Sequence, residues 1–419
     1  LCAASILASA CAELNDPVQF VDGKEVSVAY AAKVVNSEED ADRTSLLLFL
    51  ADEAASQMSQ GMAIPALDEV CESVGVKSVE RLFVSNSDMA RSRGMHRWYL
   101  VSFDDQVNPF EMAELFSSLS CVDKVQYNTV VSRDYGSEGT PYSYAPKAYG
   151  EFALPYNDPL LPDQWHYVNN LDISVAETSR SGADINVKNA WKLCAGDPMV
   201  IVAVCDEGVK YNHPDLIDNM WVNEDEIPAN GIDDDNNGYV DDIHGWNFLS
   251  TSDYPKTISW SEDGDKGHGT HVAGTVAAVN HNGIGVGGVA GGSGKGDGVK
   301  IMSCQVFSGN SSATVAARAK AYEYAANNGA CILQCSFGLS GGMVTSDGAF
   351  DMSYGVERAG LDYFFNYSQP YSPVDKNFAI FASGNDGYHL AGYPAAHRDY
   401  IAVSAIGPDY LPAFYTNYG

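Results

Sequence analysis

Two patterns of apolar residues divide the chain into two regions. Between residues 44 and 132, short alternating runs and helical periods follow one another in the order β-α-β-β-α-β, which is typical of the ferredoxin-like split βαβ fold. Beyond about residue 157 the apolar runs become continuous, as in parallel strands that are buried on both faces. The chain is therefore predicted to hold a small α+β domain followed by a larger α/β domain.

The predicted elements follow from these periods and from helix-starting signals. The first region has predicted strands at 45–50, 79–84, 98–103 and 122–131, and helices over 52–74 and from Asn108 onward. The second region has predicted strands at 199–205, 299–306, 330–335, 379–382 and 401–405, and helices at 186–191, 270–279 and 313–328. We expect the second region to form a doubly wound, mostly parallel sheet, which binds ligands beyond the carboxyl ends of its strands.

Composition sets the boundaries around these regions. The segment at 133–157 is rich in Tyr, Ser, Gly, Pro and Glu and has no apolar period, which is typical of a linker open to proteolysis. The predicted organisation is a targeting segment at 1–11, a polar segment at 12–43, the small α+β domain at 44–132, the linker at 133–157 and the α/β domain at 158–419.

The charge of the chain excludes one class of partner. Its 55 acidic residues against 24 Lys and Arg give a net charge of −31. Such a surface repels phosphate backbones, so we expect no nucleic-acid partner, and it favours hard cations such as calcium. The nine cysteines show no zinc-like spacing, and Cys205, Cys304 and Cys335 lie in apolar runs, where they are predicted to be small buried residues.

The first eleven residues are apolar and small and end at Cys11. They lack an initiator Met and are too short to span a bilayer, so we expect the start to be cut off. The segment resembles the tail of a bacterial lipoprotein signal, in which Cys11 would carry the lipid anchor; an ordinary secretory signal ending in Ala-Ser-Ala is the alternative. Either interpretation predicts an exported, cell-surface or secreted bacterial protein.

Three residues at predicted strand and helix ends suggest acyl-transfer chemistry. Asp206 ends one strand, His268 opens a helix and Asn385 follows another strand. A carboxylate can fix the tautomer of an imidazole base, and a side-chain amide can donate to a developing oxyanion. A metal hydrolase is a weaker alternative, because His268 and His271 lack an intervening Glu and a third ligand.

These residues stand in motifs that resemble the catalytic domain of subtilisin-like serine proteases (subtilases). The motifs are Val202–Gly208 with His213–Leu216, His268–Gly274, Ser336–Gly338, Ala382–Asn385 and Tyr393–Ala396. The resemblance implies that Asp206 orients the imidazole, that His268 is the general base and that Asn385 serves the oxyanion hole, while His271 is structural. It also implies that the backbone of Ser336, Phe337 and Gly338 pairs with an extended protein or peptide substrate.

The resemblance further implies that residues 44–132 are a propeptide, an intramolecular inhibitor released by cleavage in the linker. The family's nucleophile lies in a Gly-Thr-Ser-Met-Ala motif, which the 419 residues do not contain. We therefore expect a serine endopeptidase precursor truncated before its nucleophile and inactive as it stands. The alternative is a non-catalytic surface lipoprotein that binds extended peptides in the same cleft.

One residue departs from the family pattern beside the predicted catalytic carboxylate. The family has Ser or Thr after this Asp, whereas this chain has Glu207. A second carboxylate is expected to repel Asp206 and raise its pKa.

An acidic segment predicts a structural calcium site. Oxygen-bearing residues alternate before a glycine turn, in a spacing that resembles the first half of an EF-hand loop. The predicted ligands are Asp233, Asp235, Asn237, Asp241 and Asp242. A solvated acidic turn is the alternative. Asp215 and Asn282 match positions at which some subtilases hold a second calcium ion.

Overall fold

A computed structural model describes residues 19–21, 24–131, 154–171, 175–249, 258–260, 267–309, 313–367 and 369–419. The chain divides into two units. The first comprises residues 1–130 with 314–319 and 351–360, and the second comprises residues 131–313, 320–350 and 361–419. No helix among the described residues combines the length and the apolar character that crossing a membrane requires.

The amino-terminal unit is built mainly on antiparallel strands. Its elements are β1 (Gln19–Val21), β2 (Lys24–Val26), α1 (Val28–Lys33), β3 (Ala41–Leu50), α2 (Asp52–Ser59), α3 (Pro65–Val74), β4 (Ser78–Arg81), α4 (Asp88–Ser92), β5 (Trp98–Ser102), α5 (Pro109–Ser118) and β6 (Val122–Val131). In the sheet, β3 pairs with β5 and β6, and β4 lies beyond β5. Leu46, Leu48, Val101, Phe116 and Val125 are among the side chains that form its core.

The helix predicted over 52–74 is wrong in its length, because the structure has two helices there. Gly61 adopts a left-handed backbone with φ 72°, a conformation that glycine adopts without a steric penalty. Pro65 then begins α3 at its first turn, where the missing N–H of proline breaks no helical hydrogen bond. The apolar period continues through both helices, so periodicity alone does not reveal the break.

The rest of the chain contributes strands and helices in alternation. Its elements are α6 (Val187–Ala190), β7 (Ile201–Glu207), β8 (Gly245–Asn247), α7 (His268–Ala277), β9 (Lys300–Phe307), β10 (Ala313–Thr314), α8 (Val315–Asn327), β11 (Ile332–Cys335), α9 (Asp347–Ser353), α10 (Gly355–Asn366), β12 (Phe378–Ala382) and β13 (Ile401–Val403). The strand β8 and the helices α9 and α10 were not predicted from the sequence. The helix predicted over 313–328 begins at Val315, after the short strand β10.

A six-stranded parallel sheet carries the second unit, in the order β13-β12-β11-β7-β9-β8. The central strand β7 is buried along almost its whole length, as its continuous apolar run predicts. Val202 and Val204 pack in one apolar cluster with Ala273 and Ala277 of α7. The predicted α/β fold with a parallel sheet is thereby confirmed.

Candidate active site

The register of the central strands brings the predicted site residues to one edge of the sheet. Cys335 of β11 pairs with Cys205 of β7 and with Phe381 of β12. The next position along each strand is therefore Ser336, Asp206 or Ala382, and Asn385 follows Ala382 by three residues. Since parallel strands end at the same edge, three of the predicted motifs lie side by side there.

Asp206 and His268 form a hydrogen-bonded pair at this edge. The Nδ1 atom of His268 lies 2.7 Å from Oδ1 of Asp206. The Asp206 side chain is 1% exposed and that of His268 is 34% exposed, so the carboxylate is shielded while the imidazole reaches the surface. With Nδ1–H donating to the carboxylate, Nε2 is left as the basic nitrogen that can take a proton.

Glu207 lies next to this pair, but its carboxylate is directed to a different group. Oε2 of Glu207 accepts a hydrogen bond of 2.9 Å from the backbone N–H of His268, while the backbone N–H of Glu207 donates to Oδ1 of Asp206 at 2.7 Å. Glu207 is fully buried. Its carboxylate thus contacts the first turn of α7; the expected rise in the pKa of Asp206 stays a prediction.

Small residues allow the helix that bears His268 to lie directly on the strand. A Cβ atom on Gly269 would lie 2.2 Å from the carbonyl oxygen of Glu207, and one on Gly208 would lie 1.9 Å from the carbonyl oxygen of Ser259. Only glycine permits backbone approaches this close. Gly269 therefore lets the helix lie against the strand, and Gly208 lets the end of the strand lie against the segment at 258–260.

The predicted substrate-binding segment alternates between half-buried and buried positions. Ser336 and Gly338 are half-buried, while Phe337 is buried and packs at ring-centroid distances of 5.3 Å and 6.3 Å from Phe307 and Phe381. This alternation leaves backbone groups near an accessible surface and anchors the segment through one aromatic side chain. Asn385 is exposed.

The acidic segment folds so that some of the predicted ligands meet and others do not. Ligand atoms of Glu226, Asp235 and Asp242 all lie within 4.8 Å of one another. Oδ2 of Asp235 accepts a hydrogen bond from Asn237 Nδ2 at 2.9 Å, and Oδ2 of Asp242 accepts one from the same amide at 3.1 Å. Three carboxylates in this arrangement suit a hard cation such as calcium, and subtilases commonly bind calcium.

Asp233 and Asp241 instead hold the backbone of the loop. The Asp233 carboxylate accepts hydrogen bonds from the backbone N–H groups of Asn237 and Gly238 at 3.0 Å and 2.8 Å. That of Asp241 accepts from the backbone N–H groups of residues 230 and 231, each at 3.0 Å. Glu226 was missed by the sequence analysis; the only signal for it is its place within the acidic run at 224–226.

The second predicted pair of metal ligands also lies together. The amide of Asn282 donates to Oδ1 of Asp215 at 2.8 Å, and the backbone N–H of Val286 donates to Oδ2 at 2.9 Å. Asp158, which was not predicted, accepts from the backbone N–H groups of His281 and Asn282. Burial raises the pKa of Asp215. Cys11, the predicted lipidation site, lies outside the described residues.

Comparisons with known proteins agree with this arrangement. Halolysin from Haloferax mediterranei is 31% identical over 235 residues, which are 56% of this chain and 36% of halolysin. A thermophilic serine proteinase from Bacillus sp. (strain AK1) is 24% identical over 365 residues, 85% of this chain and 75% of that protein. The chain thus spans only about a third of the length of halolysin.

Among solved structures, fervidolysin from Fervidobacterium pennivorans shares the fold; that protein is a keratinolytic enzyme related to subtilisin. It is 17% identical with a TM-score of 0.51, and the match covers 89% of this chain and 44% of fervidolysin. A family model described as the subtilase family (Peptidase_S8) matches residues 197–419. That range includes the Asp206–His268 pair, the Ser336–Gly338 segment and Asn385, and the chain belongs to the subtilase family.

Proposed function

We propose that the full-length protein is a serine endopeptidase and that Asp206 and His268 are two members of its catalytic triad. The observation that carries the proposal is the 2.7 Å contact between a buried carboxylate and a half-exposed imidazole at the carboxyl edge of a parallel sheet. Its chemistry is acyl transfer, since this pair can activate a hydroxyl nucleophile.

In this mechanism Nε2 of His268 takes the proton from the serine hydroxyl as the serine oxygen bonds to the peptide carbonyl carbon. Asp206 stabilises the imidazolium through Nδ1–H. The amide of Asn385 donates to the oxyanion that forms on the carbonyl oxygen. Collapse of that intermediate breaks the C–N bond, and the imidazolium gives its proton to the leaving amine. The same imidazole then takes a proton from a water molecule, which hydrolyses the acyl-enzyme.

We propose that the substrate is an extended peptide that pairs with the backbone of residues 336–338. Half-buried Ser336 and Gly338 flank buried Phe337, so backbone groups remain available for strand addition while the segment stays rigid. The same pairing would serve a non-catalytic peptide-binding protein, which is the competing function.

We propose that Glu226, Asp235 and Asp242 hold a structural calcium ion. Glu226 also accepts backbone hydrogen bonds from Asp234 and Asp241, so one side chain both closes the loop and offers charge to a cation. Neutralising three crowded carboxylates would stabilise the loop. A second calcium ion is proposed at Asp215 and Asn282.

The amino-terminal region is proposed to be a propeptide-like inhibitor of ferredoxin-like fold over residues 44–132. The strand order β6-β3-β5-β4 supports this, because it places the first and third strands of the region at the centre of the sheet. We further propose export, lipid anchoring at Cys11 and maturation within 133–157. Mass spectrometry of the processed chain tests the last point: a mature α/β domain whose amino terminus lies outside 133–157 would refute it.

A fluorophosphonate probe, which labels activated serines, tests the proposed activity in the complete gene product. We expect labelling in the wild type, none in His268→Ala, and normal labelling in His271→Ala, because His271 is exposed and lies on the same helix. Absence of labelling in a folded, processed wild-type chain would overturn the protease proposal. Peptide binding in that same sample would then support the binding protein.

A further inference from the structure

Glu207 is a fully buried carboxylate for which the proposed mechanism has no use. It follows Asp206 directly and ends strand β7. Burial of a carboxylate is costly unless its oxygens receive hydrogen bonds. The backbone N–H of His268 supplies one such bond at 2.9 Å, so the side chain of Glu207 and the proposed catalytic base are in direct contact.

An irregularity in the sheet accompanies the unusual direction of this side chain. Asp206 pairs with Gln305 of β9, whereas Glu207 pairs with Phe307, so the register shifts by one residue between them. Such bulges change the direction of side chains and are frequent near active sites. The extra residue is Val306 of β9. On β7, Asp206 and Glu207 both contact α7, although successive side chains of a regular strand point to opposite faces.

Helix α7 has no side-chain cap at its N-cap position. Its N-cap residue is Gly267, which has φ 71° and no side chain that could accept a hydrogen bond. The first N–H groups of a helix have no partner within the helix, and a side-chain oxygen usually accepts from one of them. Here Oε2 of Glu207, from a different element, accepts from His268, the first residue of the helix.

We propose that Glu207 is a positioning residue that anchors the backbone of His268, while Asp206 anchors its imidazole. The inference rests on the proposed serine endopeptidase function, and it assigns to consecutive residues of one strand the two contacts that orient the base. The carboxylate also lies at the positive end of the helix, where a negative charge is favourable.

Two substitutions of similar size separate the hydrogen bond from simple packing. Glu207→Gln keeps an oxygen acceptor, whereas Glu207→Met fills the space without one. In the full-length protein we expect Glu207→Met to lower kcat by about 100-fold, the usual effect of misplacing a catalytic group by about 1 Å. KM should stay within about twofold, because the contact does not involve the substrate. Glu207→Gln should retain kcat to within about fivefold.

Proton NMR gives a readout that is independent of turnover. The low-field resonance of His268 Nδ1–H, assigned by its loss in His268→Ala, should persist in Glu207→Gln and be shifted or broadened in folded Glu207→Met. If the wild type proves inactive, the protease proposal fails, but this resonance still tests the anchoring. Three results would each overturn the inference. They are equal kcat in Glu207→Met and wild type, equal losses of kcat in the Met and Gln variants, and an unchanged His268 resonance in Glu207→Met.

Discussion

A methyl group added at Gly269 tests whether close contact between α7 and β7 sets the geometry of the site. The added Cβ would lie 2.2 Å from the carbonyl oxygen of Glu207 and 3.3 Å from Cβ of Asp206. Since Cβ contacts below 3.0 Å essentially never occur, the helix and the strand must separate by at least 0.8 Å. The atom in the way is backbone, so no side-chain rotation relieves the clash.

The separation should affect stability and activity to different extents. Overpacking of a close contact usually costs about 1–3 kcal/mol of unfolding free energy. The same movement carries His268 away from Asp206, whose hydrogen bond is now 2.7 Å long, and a displacement near 1 Å can cost about 100-fold in rate. We therefore expect Gly269→Ala to remain largely folded while losing nearly all fluorophosphonate labelling.

Gly274 provides a matched control on the same helix, because a Cβ there meets no atom within 4 Å. Replacing a helix-interior glycine with alanine usually adds about 0.5–1 kcal/mol of stability. In urea unfolding of the full-length protein, Gly269→Ala should therefore lose stability and Gly274→Ala should gain it. The labelling rate should fall in Gly269→Ala and not in Gly274→Ala. If Gly269→Ala matched Gly274→Ala in both measurements, the argument from close approach would be refuted.

Two further predictions concern contacts away from the catalytic pair. Tyr324→Phe removes a 2.6 Å hydrogen bond to buried Asp242 and should lower the unfolding free energy by about 1.5–3 kcal/mol; in urea unfolding, a loss no larger than that of exposed Tyr371→Phe would contradict this. The hydrogen bond from Arg398 holds the pKa of Asp347 below its usual value of 3.8. Its contribution is therefore present above pH 3.8 and is lost as the pH falls through the lowered pKa. Because the Arg398 side chain is 78% exposed, Asp347→Asn should cost less than about 1 kcal/mol at pH 7. A stability difference between Asp347→Asn and the wild type that does not shrink as the pH falls well below 3.8 would count against that assignment.

Much of the parallel sheet could be predicted because its strands are continuous apolar runs. A run such as 199–205 has few conformations in which all its side chains are buried, and the parallel strand is one of them. The first polar residue after such a run is then placed at the sheet edge. This is why Asp206 and Ser336 could be located together from the sequence, before any register was known.

Features that depend on distant contacts could not be predicted. Glu226 lies nine residues before Asp235 and meets it only because the chain reverses through Ala229 and Gly231, which have φ 58° and 73°. The contact of Glu207 with the backbone of His268 depends on how α7 meets the end of β7. Neither contact leaves a periodic signal in the sequence, because each depends on how one segment of the folded chain packs against another.

The arrangement of β7 explains how a buried carboxylate and an accessible base can share one site. Asp206 is buried, but it receives hydrogen bonds from the backbone N–H of Glu207 and from the imidazole, which offset the loss of hydration. The helix N-terminus receives the next carboxylate. Because both anchors of His268 come from consecutive residues, a movement of β7 would carry the backbone and the imidazole of the base together. The geometry of the pair should therefore resist small shifts of the sheet and fail only when α7 and β7 separate.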